Sequence, residues 1–261
     1  MNSRTGQKIG LLDILLSVYA WGAIILLTVF WNLSGIIFIY PFTVIFRRRM
    51  RNAMHGVAVL WAKSILTVYP AWSLKIRGIS NIKKRKTYML VANHQSLLDI
   101  MVALKGIPVP FRFLAKKELF SIPFLGWHMK AAGYIPLDRG NVQSGKIALD
   151  SAARFLHEGI SMLFFPEGTR SEDGEMKSFK PGAFKLALEE SIPVLPVVID
   201  GTAQAIPKKS RIFERSSQFY LSIEKPVNLM TGCPLQDQIN EIHRTMEERL
   251  KELRTEFREG A

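Results

Sequence analysis

His94 and Asp99 stand five residues apart in Asn93-His94-Gln95-Ser96-Leu97-Leu98-Asp99, directly after the apolar run Tyr88-Met89-Leu90-Val91-Ala92. That spacing suits a general base and its orienter. A carboxylate in the first turn of a helix can hold one imidazole N–H and fix the tautomer. The other ring nitrogen is then left to take a proton from a substrate hydroxyl. A capping Asp beside a loop His gives the same letters, and His243 with Glu248 shows the analogous spacing in what reads as a plain charged helix. A second constellation, Phe164-Phe165-Pro166-Glu167-Gly168-Thr169-Arg170-Ser171, follows another apolar run. Pro166 and Gly168 set a tight turn whose backbone N–H groups can face an anion, and Arg170 offers a planar fork to a phosphate. A hairpin turn carrying a solvated Arg is the alternative.

Other chemistries lack their residues. Gly140-Asn141-Val142-Gln143-Ser144-Gly145-Lys146-Ile147 fits a nucleotide phosphate loop up to its Lys, but Ile147 stands where a magnesium-binding hydroxyl is required. No G-x-S-x-G elbow supplies a nucleophilic serine. Cys233 lies in a turn between Gly232 and Pro234, and no His/Cys/Asp cluster has metal-ligand spacing. A base without a nucleophile points to direct transfer onto an acceptor hydroxyl, with no metal and no cofactor expected.

These residues need elements to position them. After Pro70, β-rich runs at 72–79, 87–92, 111–115, 134–137, 160–165, 194–199 and 219–223 alternate with helical stretches that include 96–105, 142–157 and 181–190. This alternation predicts an α/β fold: a largely parallel, mixed sheet flanked by helices, with functional groups gathered in loops at the strand ends. The tail 234–259 interleaves Glu with Lys and Arg at helix spacing, and reads as a solvated terminal helix.

The amino-terminal part differs. Residues 14–46 contain no charge over 33 residues, roughly 50 Å as one helix against a hydrocarbon core of about 30 Å. The length argues against a cleaved signal peptide. Asn32, Ser34 and Gly35 in the middle, with Pro41 near the end, predict a break and hence a membrane-embedded helical hairpin. Arg4 and Lys8 before it, and Arg47, Arg48, Arg49 and Arg51 after it, place both ends on the cytoplasmic face. A single tilted crossing is the alternative. Residues 51–69 carry apolar side chains at helical spacing, which fits either an interfacial helix with Trp61 at head-group depth or a helix packed on the main domain. The division expected is a membrane-associated helical segment over 1–70 and an α/β domain over 71–261.

Composition narrows the partners. With 261 residues, 48% of them hydrophobic, and a mean hydropathy of +0.11, the chain is too apolar for disorder and long enough for a sizeable core. A net charge of +13 calls for anionic partners: nucleic acid, lipid head groups or phosphorylated substrates. One cysteine excludes an internal disulfide. The run Lys83-Lys84-Arg85-Lys86 has no aromatic-bearing nucleic-acid motif beside it, so it suits phospholipid or solvent, and no nucleic acid is expected.

Four segments in order then resemble one family. Asn93 to Asp99 resembles the H-x4-D motif of the glycerolipid acyltransferase superfamily, and Phe165-Pro166-Glu167-Gly168-Thr169-Arg170-Ser171 its F-P-E-G-T-R-S block. Residues 115–127 together with Gly133-Tyr134-Ile135-Pro136-Leu137-Asp138-Arg139 resemble its second block, and Val194-Leu195-Pro196-Val197-Val198-Ile199 its fourth. The resemblance implies transfer of a fatty acyl group from acyl-CoA or acyl-carrier protein to the 2-hydroxyl of lysophosphatidic acid, giving phosphatidic acid. Carried over, His94 is the base and Asp99 its orienter. Glu167, Gly168, Thr169 and Arg170 form the substrate-binding block, Lys116 helps hold the phosphate, and Arg139 is a further candidate. Thr169 favours a lyso-acceptor over glycerol 3-phosphate. An inner-membrane enzyme with its site on the cytoplasmic side is expected. Another lysophospholipid or a lipid-linked amino acid as acceptor, and a membrane-bound scaffold, stand as rival readings.

Overall fold

A computed structural model of the chain describes residues 10–43, 47–69, 71–171, 173–206, 212–214 and 216–259. Each β-rich run in the second part forms a strand: β1 (Trp72–Arg77), β2 (Met89–Ala92), β3 (Phe111–Lys116), β4 (Ile135–Leu137), β5 (Ser161–Phe164), β6 (Val194–Asp200) and β7 (Ser217–Ile223). Their order in one seven-stranded sheet is β1-β7-β6-β2-β5-β3-β4. Strands β2 to β6 are mutually parallel, and β7, with β1 parallel to it, runs against β6. Central β2, β5 and β6 are buried at every position, which is why they read as unbroken apolar runs rather than as alternating ones. Five carboxyl ends therefore share one edge of the sheet. The expected mixed, largely parallel α/β architecture is what the chain adopts.

Helices cover both faces. Leu90 and Ala92 of β2 point toward α1 (Leu11–Phe38), α2 (Arg47–Val68), α3 (Asp99–Gly106) and α4 (Leu125–Ala132). Met89 and Val91, one residue out of phase, face α5 (Val142–His157), α6 (Gly182–Glu189) and α8 (Leu235–Glu259), as period-two alternation requires. A short helix, α7 (Thr202–Ala205), follows β6.

The break expected at Asn32, Ser34 and Gly35 is absent. Helix α1 runs unbroken through Asn32, Ser34 and Gly35. Its polar side chains stay inside the helix: Asn32 Nδ2 donates to the Thr28 carbonyl (2.5 Å) and Ser34 Oγ to that of Phe30 (2.7 Å). Such back-bonding to the preceding turn lets these residues sit mid-helix. Gly35 serves a close approach, since a Cβ there would lie 3.2 Å from Met54 Cε. The chain turns later, through a 3-10 turn at Tyr40–Thr43, and α2 is the returning limb. Trp31 Nε1 donates to Ser64 Oγ and Trp61 Nε1 to Thr28 Oγ1, both at 3.0 Å, so the two helices exchange hydrogen bonds across their seam.

Of the two readings for residues 51–69, packing on the sheet is the observed one, with Met54, Ala58, Ala62, Ile65 and Leu66 buried in the core. The outward face of α1 remains apolar and exposed, including Leu15, Val18, Leu26, Phe30 and Ile37. By length and composition this is a helix long and apolar enough to cross a membrane. Arg4 and Lys8 lie outside the described residues. The tail also departs from expectation. Ile239, Ile242, Met246, Leu250 and Leu253 of α8 are buried against the sheet, so only its other face is solvated.

Candidate active site

The carboxyl edge gathers most of the residues singled out above. β2 ends at Ala92, and Asn93 then acts as a false strand partner. Its Nδ2 donates to the Ile199 carbonyl and its Oδ1 accepts from the Ile199 N–H, both at 2.8 Å. This bridge fixes where His94 leaves the sheet. Asp99, the first residue of α3, is wholly buried. Its Oδ2 faces His94 Nδ1 at 2.8 Å and accepts the Gln95 and Ser96 N–H groups at 2.6 and 2.8 Å. Oδ1 accepts the Thr202 hydroxyl. A carboxylate so surrounded accepts, so Nδ1 of His94 bears a proton, and in the neutral ring Nε2 carries the lone pair. Among the described residues Nε2 has no protein partner.

The second constellation docks directly on the first. The His94 N–H donates to Glu167 Oε1 at 2.7 Å, and the Lys177 N–H to Glu167 Oε2 at 3.1 Å. The Ser171 N–H donates to the His94 carbonyl at 2.8 Å, and Phe165 stacks on the imidazole with ring centres 4.2 Å apart. Burial pushes the Glu167 carboxyl up from the usual range, opposed by its two backbone donors. Glu167, grouped with the substrate-binding residues on sequence, turns its carboxylate inward and binds loop to loop. Gly168 holds a left-handed turn, φ 75°, where a Cβ would meet Lys180 Nζ at 2.9 Å. Thr169 is exposed, and Lys177 Nζ reaches its hydroxyl (3.4 Å) and the Arg170 carbonyl (3.1 Å). The Arg170 guanidinium makes no ion pair among the described residues. Lys177 and Lys180 are thus two cations at this turn that motif reading missed.

Lys116 ends β3 and Arg139 follows β4, on the same edge. With strands about 4.8 Å apart, Lys116 leaves the sheet about 10 Å from the His94 strand and Arg139 about 15 Å from it. Lys116 pairs with Glu118 at 3.1 Å in solvent, and Arg139 is exposed. The decoys lie elsewhere. Asn141 caps α5 through the Ser144 N–H (3.0 Å), so the apparent phosphate loop is a helix start. His243 lies edge-on to Phe179 and meets Glu247 rather than Glu248.

A further network supports the edge from below. Gln95 Nε2 approaches Asp200 Oδ1 at 3.3 Å, and Arg254 of α8 reaches the Gly174 carbonyl and, at 3.6 Å, Asp200. Burial raises the Asp200 carboxyl, against the pull of Arg254.

This sheet, with a His–Asp pair and a cationic turn on neighbouring strand ends, defines an acyltransferase-like site. The Acyltransferase family profile matches residues 73–200. A chloroplastic 1-acyl-sn-glycerol-3-phosphate acyltransferase of Arabidopsis thaliana is 36% identical over 190 residues, covering 72% of this chain and 52% of that protein. One from Borreliella burgdorferi is 30% identical over 155 residues, 59% of this chain and 62% of its own. The crystal structure of the 1-acyl-sn-glycerophosphate acyltransferase PlsC from Thermotoga maritima superposes with a TM-score of 0.79 at 29% identity, covering 93% of this chain and 96% of that one. The chain spans about half the length of the chloroplast relatives it matches. Residues 73–200 thus form a domain of the Acyltransferase family.

Proposed function

We propose that this chain is a 1-acylglycerol-3-phosphate O-acyltransferase. It moves a fatty acyl group from acyl-CoA or acyl-carrier protein to the sn-2 hydroxyl of lysophosphatidic acid and releases phosphatidic acid. The observation that carries this reading is an oriented His94 with Arg170 one strand away, His94 Nε2 having no protein partner and Arg170 no ion pair among the described residues. Hydroxyl and phosphate sit on adjacent carbons of the acceptor, and their anchors sit on adjacent loops.

In the proposed reaction the acceptor O–H gives its proton to His94 Nε2 as the oxygen attacks the thioester carbonyl carbon. Collapse of the tetrahedral adduct breaks the C–S bond, and the imidazolium returns the proton to the departing sulfur. An ester and a free thiol result, with no net proton change. Since a thioester is already activated, alignment and a positioned base supply most of the acceleration. Arg170 holds the phosphate, with Lys177, Lys180 and Lys116 adding field around it. Glu167, through the His94 N–H, is a positioning residue rather than a substrate ligand.

The lipid substrate fits the exposed face of α1. Since α1 is bound along its length to α2, a perpendicular crossing would draw Arg48, Arg49, Arg51 and Lys63 into hydrocarbon. The helix pair therefore beds into one leaflet. The exposed Arg48, Arg49 and Lys84 to Lys86 suit the anionic cytoplasmic leaflet of an inner membrane. An acceptor panel with either donor tests the proposal: lysophosphatidic acid should be acylated well ahead of glycerol 3-phosphate and lysophosphatidylcholine. Preference for a phosphate-free or amino-acid-linked acceptor would overturn it.

A further inference from the structure

The end of β6 and the turn that follows it meet the catalytic loop at three points. Asn93 bonds the Ile199 backbone, Gln95 approaches Asp200, and Asp99 accepts the Thr202 hydroxyl. We infer that Thr202 is a third member of the proton-transfer group: a positioning residue whose hydroxyl locks the Asp99 carboxylate so that Oδ2 stays on His94. This rests on the acyltransferase reading, in which His94 is the base.

The geometry leaves the hydroxyl one task. Asp99 Oδ2 already takes three donors, two backbone N–H groups and the imidazole, while Oδ1 has the Thr202 hydroxyl alone among the described residues. Asp99 and Thr202 are both wholly buried, so water does not substitute freely for a missing donor. A carboxylate with one oxygen unsatisfied in such a place rotates about its last torsion to share its remaining donors, or takes up a proton. Either change weakens the hold on His94 Nδ1–H and admits the wrong tautomer. Thr202 acts only through Asp99, as Asp99 acts through His94.

The backbone is built to deliver this hydroxyl. Gly201 turns the chain in the left-handed region, φ 85°, immediately after β6, and a Cβ there would come within 2.0 Å of the Gln218 carbonyl oxygen. No other residue type makes that turn without displacing β7. Thr202 therefore begins α7 at a fixed point beside the α3 amino end, 103 residues from Asp99 in sequence. The fourth sequence block ends three residues earlier, at Ile199, so motif reading stops short of it.

The test compares Thr202→Val, which keeps shape and loses the O–H, with Thr202→Ser, which keeps the O–H. Full-length variants in detergent are assayed beside wild type and His94→Ala, and 15N-histidine spectra follow the five histidines. Thr202→Val should lose roughly 10- to 100-fold in kcat with little change in acceptor KM, as expected for one unsatisfied buried partner. The downfield His94 Nδ1–H resonance should move or broaden, and Thr202→Ser should restore both. A folded Thr202→Val protein with wild-type kcat and an unmoved resonance would overturn the inference. So would Thr202→Ser failing to rescue, which would mark a packing role for the methyl group. The spectrum needs no substrate, so failure of wild type to acylate lysophosphatidic acid would count against the functional reading alone.

Discussion

At the scale of single residues the site separates groups that meet substrate from groups that hold them. Arg170 belongs to the first kind in our account, because among the described residues its fork makes no ion pair, and it follows β5 at the edge where the phosphate would bind. Arg170→Ala should raise acceptor KM at least about tenfold while moving donor KM little, and Arg170→Lys should recover only part, since an ammonium lacks the planar fork. Steady-state kinetics with each substrate varied in turn decides this, and a change confined to donor KM would reassign Arg170 to the thiol carrier. The His94–Asp99 pairing was legible in sequence because both residues lie in one short local pattern. Glu167 was legible as a letter but not as a role, since its partners are backbone N–H groups of His94 and Lys177. Thr202 was not legible, because only the sheet order brings it to Asp99.

At the scale of elements, all seven strands follow from β-rich runs, and β2, β5 and β6 read as unbroken apolar ones because they are covered on both faces. The errors have one physical source: tertiary contacts override local signals. Asn32 and Gly35 look like a break until α2 and Met54 lie against them. In α8 the charges were visible, while the stripe Ile239, Ile242, Met246, Leu250 and Leu253 was outweighed by them. The continuity of α1 makes its outer face a single apolar strip. Changing exposed Leu15, Leu26 and Phe30 together to Ser should leave the melting temperature nearly unchanged, because none is buried. Partition onto vesicles rich in anionic lipid should fall at least about tenfold, with three large side chains withdrawn from apolar contact. Cosedimentation measures it, and undiminished binding would remove α1 from the membrane contact.

At the scale of the whole molecule, the fold divides its labour between two surfaces. The carboxyl edge of five parallel strands carries His94, Arg170, Lys116 and Arg139, and the α1 face carries the apolar surface. In the proposed function a charge of +13 suits an anionic acceptor, an anionic leaflet and an anionic donor together. These surfaces are joined by α2, which packs on α1 with one side and on the sheet with the other. Composition pointed to anionic partners, but no local pattern could show that the apolar α1 and the sheet share one core. The central claim is that His94, oriented by Asp99, takes the proton of a lysophosphatidic acid hydroxyl. Transfer of a labelled acyl group to lysophosphatidic acid by wild type and by His94→Ala, at matched folding and vesicle binding, tests it most directly. The account predicts a loss of at least roughly 10²–10⁴ in kcat for the variant. Turnover within a few-fold of wild type would contradict it.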